Sequence, residues 1–160
     1  MARTTQHRPA VTALTGDARS RRLLLAQLDQ DQADLERARD LLQQGRMLEG
    51  IDPREGFELV HRAALRGAGV LVARANRARR RRLPLNVWTA LERLGGEGAE
   101  RAEALRPLVA ERARLDRDAR ALPAPELLRR HLDETAAHLD HVARELVSDL
   151  PDLLGEPERR

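Results

Sequence analysis

Cysteine is absent from this chain, so it can hold neither disulfides nor thiolate metal sites, a composition suited to a reducing cytoplasm. Long apolar runs are absent too. A membrane span needs about 18 consecutive apolar residues, whereas the longest purely aliphatic run near the N-terminus is Leu23–Leu25. Met1–Ser20 carries arginines but lacks the apolar segment of a secretory signal. A cytoplasmic protein with no membrane partner is expected. Lysine and tyrosine are also missing, and all 29 basic residues are arginine. Between the carboxylates and the guanidinium groups only five histidines and the N-terminus titrate, so a formal charge of +3 goes with a pI near 10.9. The pI therefore exaggerates how basic the surface is at neutral pH. Arginine in place of lysine, in a chain rich in alanine, leucine and glycine, is most simply the mark of a high-GC genome. Phe57 and Trp88 are the only aromatic residues, which counts against a dedicated single-strand binder built on stacked bases. The chain has no glycine-rich phosphate loop, no serine-nucleophile motif and no paired-carboxylate signature.

What is present is helical periodicity in a chain of 160 residues, enough for one domain with a real core and too short for two comfortable ones. Residues 1–19 are polar and aperiodic, with Pro9 and Gly16, and read as a disordered tail. From Ser20, apolar residues at Leu24, Leu28, Leu35, Ala38 and Leu42, interrupted by Asp31, predict a first helix over about 20–45. Asp52-Pro53-Arg54-Glu55 is the sharpest start in the chain: Asp52 to accept from free N–H groups, Pro53 at the first helical position, Glu55 placed for a capping box. On the second helix Phe57, Val60, Ala64, Ala68, Leu71 and Ala75 share one face. Its small residues Ala63, Ala64, Gly67, Ala68 and Gly69 invite a close neighbour. Pro84 precedes a short helix, Val87–Leu94, capped by Asn86 and stopped by Gly95-Gly96. Helix resumes from Glu97 to about Leu122, with Pro107 expected to kink or split it. The last helix, about Glu126–Leu150, carries Leu128, Leu132, Thr135, Leu139, Val142 and Leu146 in steps of four and three, a stripe that suits antiparallel bundle packing. Residues 151–160 read as a flexible tail. The expected fold is all-α: an antiparallel bundle of four principal helices with a short extra one, over residues 20–150.

Charge is distributed unevenly. Between Leu59 and Leu91 lie eight arginines (Arg62, Arg66, Arg74, Arg77, Arg79, Arg80, Arg81, Arg82) and no acid. Since the whole chain carries +3, the remainder carries −5. Such a segment favours an anionic partner locally. If the second helix ran on through it, most of these arginines would form one stripe able to follow a phosphate backbone, with Trp88 near enough to stack a base. The plainer reading has the run capping a helix C-terminus and pairing with acids of neighbouring helices, with Trp88 as a core plug.

The sequence His61-Arg62-Ala63-Ala64-Leu65-Arg66, its alanine-rich continuation to Ala75, Arg79–Arg82, the Pro84 to Trp88 segment and the final helix resemble the HEPN superfamily (higher eukaryotes and prokaryotes nucleotide-binding). The closer likeness is to small stand-alone HEPN proteins of high-GC bacteria, over about Asp52–Leu150. The resemblance implies an all-α bundle, often a homodimer, that binds nucleotides or RNA. Many members are metal-independent RNases, cutting with an arginine followed after four to six residues by a histidine. In that chemistry histidine moves a proton at the ribose 2′-hydroxyl or leaving group and arginine holds the phosphate.

Arg54 and His61, with six residues between them, have that spacing and are the candidate catalytic pair. Arginine is so frequent here that chance supplies such a pair, and HEPN RNases carry the motif in a late helix, where Arg130 and His138 are one residue too far apart. His61 also falls beside Phe57, Leu65 and Ala68 on the apolar side, where a core-edge histidine is the simpler account. His131, Glu134, His138 and His141 line one side of the last helix, an ingredient of a metal site, but the first and third helices offer no histidine to complete it. No cofactor is expected. The balance favours a non-catalytic accessory or regulatory protein that binds RNA or nucleotide through its arginines. The alternatives are an RNase using Arg54 and His61, or a module docking an acidic protein partner.

Overall fold

Five helices and no strand form among the described residues, which in this computed structural model are 10–148 and 150, with side chains from Asp17 onward. They are α1 (Ala10–Met47), α2 (Pro53–Arg77), α3 (Val87–Leu94), α4 (Gly96–Arg117) and α5 (Pro125–Ser148). The chain folds as the all-α bundle its periodicity implies. None of these helices is long and apolar enough to cross a membrane.

The local signals act as their chemistry suggests. Asp52 accepts the Glu55 N–H at 3.1 Å, with Pro53 at the first helical position. Asn86 accepts the N–H groups of Trp88 and Thr89, both at 3.1 Å. Gly95 and Gly96 take φ of +72° and +58°, left-handed conformations in which one helix stops and the next starts within a residue.

The boundaries differ in three places. The expected tail over 1–19 is helical from Ala10, while residues 1–9 lie outside the described part. A helix already nucleated by a packed segment extends at little cost, and between Ala10 and Arg19 only Gly16 resists it. α4 runs unbroken through Pro107, which sits on the exposed side, where the carbonyl freed one turn earlier can meet water. The same helix ends at Arg117 and not near Leu122. The expected tail at 151–160 lies outside the described residues.

Directions follow from the contacts. α1 runs antiparallel to α2: Asp31 meets Arg77 at one end, and Gly45 lies against Gly56 and Val60 at the other. α2 and α5 are parallel, with Phe57 beside His131, Gly67 against Leu139, and Arg74 on Glu145. α4 is antiparallel to both, through Arg112–Glu58 and Arg101–Glu134. α2 touches every other helix, whereas α1 and α4 do not meet among the described residues. Leu35, Ala38, Phe57, Val60, Ala64, Leu105, Leu108, Leu128, Leu139 and Val142 form the core. α1 has 38 residues against 25 in α2, and a short turn joins its C-terminus to the start of α2. At 1.5 Å per residue its N-terminal part therefore projects about 20 Å past the end of its partner.

Close approach is confined to particular glycines. A Cβ on Gly45 would stand 2.6 Å from Val60 Cγ2 and 2.9 Å from the Gly56 carbonyl oxygen, whereas one on Gly69 would meet nothing within 4 Å. Gly45→Ala is expected to destabilise the fold by about 1–3 kcal/mol through overpacking against backbone. Gly69→Ala is expected to stabilise it by about 0.5–1 kcal/mol, since only helix propensity changes. Urea unfolding of both variants checks this. Shifts of the same sign would mean that close packing of α1 on α2 does not govern Gly45.

Candidate nucleic-acid interface

The arginine-rich segment divides where α2 ends. Along the helix each arginine meets an acid. Arg62 lies 3.8 Å from Glu58 one turn earlier, and Arg66 3.5 Å from Asp34 of α1. Arg74 donates to Glu145 of α5 at 2.9 Å. Arg77 makes a two-pronged pair with Asp31, at 2.8 and 2.6 Å, and the Asp31 side chain is only 5% exposed. The open groove of about 660 Å³ between α1 and α2 is lined by Arg62 and Arg66 together with Asp31 and Asp34, so it carries both signs of charge. No continuous cationic stripe follows this helix, because α2 stops at Arg77 and these arginines are met by Glu58 of α2 and by acids of α1 and α5.

Past the helix the chain turns sharply back. The Ala78 N–H reaches the Ala75 carbonyl at 3.3 Å, the Leu83 N–H donates to Asn76 Oδ1 at 2.9 Å, and the Leu83 side chain is buried. Between these anchors Arg79, Arg80, Arg81 and Arg82 are all exposed, and among the described residues none has an ion-pair partner. Four guanidinium groups thus stand on a short loop at one end of the bundle, beside a helix C-terminus that cations favour. Leu85, fully exposed, follows them. Trp88 is half-buried and packed against the core, its ring 6.2 Å from that of His138.

Arg54 and His61 are placed apart in role. Arg54 donates to the carbonyls of Leu115 at 2.6 Å, Ala121 at 2.7 Å and Asp118 at 2.8 Å, in the last turn of α4 and the loop that follows it. A guanidinium engaged threefold in this way explains where α4 ends. His61 is 3% exposed. Its ring lies 5.7 Å from that of His131, and Phe57 stacks 4.8 Å from His131 on the same seam. Sequence periodicity had no means of finding the Arg54 contacts, since they join residues more than 60 positions apart.

The α2–α5 seam is lined by imidazoles. His131 and Thr135 share a hydrogen bond of 3.0 Å, while His61 Nδ1, His131 Nε2 and both ring nitrogens of His138 have no hydrogen-bond partner of good geometry. Burial lowers the pKa of His61 to about 4, helped by the nearby Arg112 cation and opposed by Glu58 and Asp116. Burial lowers His131 to about 3, with His61 adding to the effect. His138 falls to about 4 through burial and then His141, against a contact with the Ala64 carbonyl. His141 Nδ1 is 3.1 Å from Glu97. Glu134 turns to Arg101 at 3.4 Å, and no three potential metal ligands among His, Asp and Glu come together among the described residues.

Residues 49–144 match the family model described as SAV_6107-like HEPN. The match takes in α2, α3, α4 and most of α5, and leaves α1 outside. No curated protein matches the chain, and no solved structure does.

Three neutral imidazoles in the core make stability depend on pH in a definite direction. Each titrates near 6.5 when unfolded, and its folded value is lower, so protons bind preferentially to the unfolded chain. The associated stability is whole above about pH 6.5 and is lost as pH falls towards 4. At about pH 5 the three together withdraw roughly 6 kcal/mol, a large share of the 5–15 kcal/mol typical of a domain. Thermal unfolding followed between about pH 7.5 and 5 should show a midpoint dropping steeply below 6.5. A flat profile would mean that the three rings keep ordinary pKa values.

Proposed function

The chain belongs to the HEPN family, whose functions are nucleotide- or RNA-related, and we propose that it is a non-catalytic member that binds RNA through Arg79–Arg82. The observation that carries this reading is the contrast among the arginines. Arg62, Arg66, Arg74 and Arg77 are matched by acids of the bundle, whereas the four on the loop present bare positive charge to solvent. A phosphate backbone neutralises such a cluster while releasing its own counterions. The absence of catalysis is supported by the site that would perform it. The Arg54 guanidinium caps α4, and the His61 ring is buried and held neutral, so a substrate phosphate and a ribose hydroxyl would have to displace packed structure to reach them. Trp88, packed on the core, is left out of the RNA contact.

A second reading, docking of an acidic protein, draws support from one feature: fully exposed Leu85 beside the cluster, an apolar group that a purely phosphate-binding loop does not need.

Binding of a labelled RNA measured across a salt series should weaken steeply, the four phosphate contacts of the loop alone contributing about −3 to the slope of log K against log salt. The variant R79A/R80A/R81A/R82A should bind at least about tenfold more weakly and lose that share of the slope. RNA incubated with the protein in EDTA should remain intact. Absence of binding even at about 50 mM salt would remove the RNA reading. Cleavage by the parent and not by a His61→Ala variant would put the catalytic pair back in place.

A further inference from the structure

Unmatched positive charge recurs at the same end of the bundle, on the part of α1 that projects past α2. Arg19, Arg21 and Arg22 are exposed there, no acid lies between Asp17 and Asp29, and none of the three has an ion-pair partner among the described residues. The antiparallel register fixes where they stand. Asp31 is the α1 residue that Arg77 grips, so each step back along α1 from Asp31 continues in the direction in which α2 runs out into Arg79–Arg82. At 1.5 Å per residue, Arg22 and Arg19 lie about 14–18 Å beyond Asp31 along the helix axis. Leu23, Leu24 and Leu25 follow directly and are 59, 47 and 41% exposed, although they sit within a helix.

We propose that the α1 extension is a second arm of the interface, in which Arg19, Arg21 and Arg22 take phosphates of the same strand that Arg79–Arg82 hold, so that the ligand is single-stranded RNA and not a mononucleotide. This rests on the RNA-binding reading of the loop. Arg22 and Arg19 stand about 14–18 Å along α1 from Asp31, which grips Arg77 two residues before the loop begins. About four to five phosphates would span that length of helix at the duplex spacing of about 3.4 Å. A mononucleotide has phosphate at one point and reaches one arm. The leucines favour a single strand over a duplex: unstacked bases can lose water against an apolar helix face, and bases in a duplex cannot. The arm lies before residues 49–144, the part of the chain that the family model matches.

The test compares R19A/R21A/R22A, R19K/R21K/R22K and R79A/R80A/R81A/R82A with the parent, using a labelled single-stranded RNA of about 20 nucleotides and, separately, AMP. The side chains are exposed and unpaired, and equal helix content by circular dichroism confirms that each variant keeps its fold. The alanine arm variant should bind the RNA at least about tenfold more weakly at about 0.1 M salt, with the salt slope reduced by about 2–3. The lysine arm variant should bind as the parent does, and AMP should not distinguish parent from arm variant. Parent-like RNA binding by the alanine arm variant, with loss in the loop variant, overturns the arm and leaves the loop reading intact. A lysine variant as weak as the alanine one also overturns the arm, because charge would not be the cause. No RNA binding by the parent removes both readings together.

Discussion

At Gly67 side chains of α5 lie so near the α2 backbone that a methyl group would stand 2.6 Å from Leu139 Cδ2 and 3.1 Å from His138 Nε2. That contact sets the architecture. The two helices run parallel, and α2 is spared side chains at this level by Ala64, Gly67 and Ala68. α5 can then lay Leu139 and His138 directly onto it. With α2 and α5 pressed together, α1 and α4 are held on either side without meeting. A parallel pair needs a connection that returns the chain to its starting end, and α4 supplies it by running antiparallel to both. The tightness also fixes the electrostatics of the seam. Imidazoles enclosed this closely have no water, so His61, His131 and His138 remain neutral at physiological pH and pack as aromatic groups would. In a chain with one phenylalanine and one tryptophan, histidine takes over part of the aromatic role in the core.

The same geometry decides which arginines are occupied. The segment from Leu59 to Leu91 has no acid of its own, which invites the conclusion that its charge is free. In the folded chain Asp31, Asp34 and Glu145 come from α1 and α5, and Glu58 from one turn earlier on α2. Asp31 is the instructive case. In sequence it interrupts an apolar stripe; in the structure it is nearly buried and takes both prongs of Arg77. Removing Arg77 alone would leave the Asp31 carboxylate buried without this partner, and that penalty exceeds the net worth of the pair.

Much of the fold was legible because its signals are local. Asp52, Asn86 and Gly95 cap or stop helices by contacts within three or four residues of themselves, and the leucine stripe of α5 needs only its own period. The cleft-facing roles were less legible because they are decided by distant residues. Arg54 has the spacing of a catalytic partner to His61, yet its three acceptors lie in the stretch Leu115–Ala121, where only the return of α4 brings them. The early start of α1 escaped for a different reason. Ala10–Arg19 lacks an apolar period, and periodicity is the signal by which a sequence announces an amphipathic helix.

This last point joins the architecture to the charge. Within the bundle α2 is flanked, and Arg66, Arg74 and Arg77 find carboxylates on α1 and α5, while Arg62 finds Glu58 one turn earlier on α2. Where a chain segment outruns its neighbours the flanking acids end, and clusters of unmatched arginine begin: Arg79–Arg82 past the end of α2, and Arg19–Arg22 on α1 past the same point. Both clusters fall at one end of the molecule, where α2 gives way to its loop and α1 continues past it. Net charge conceals this arrangement. A total of +3 spread evenly would favour no partner in particular, whereas two clusters of unmatched arginine stand together at one end of the bundle, where solvent, and a polyanion, can reach them.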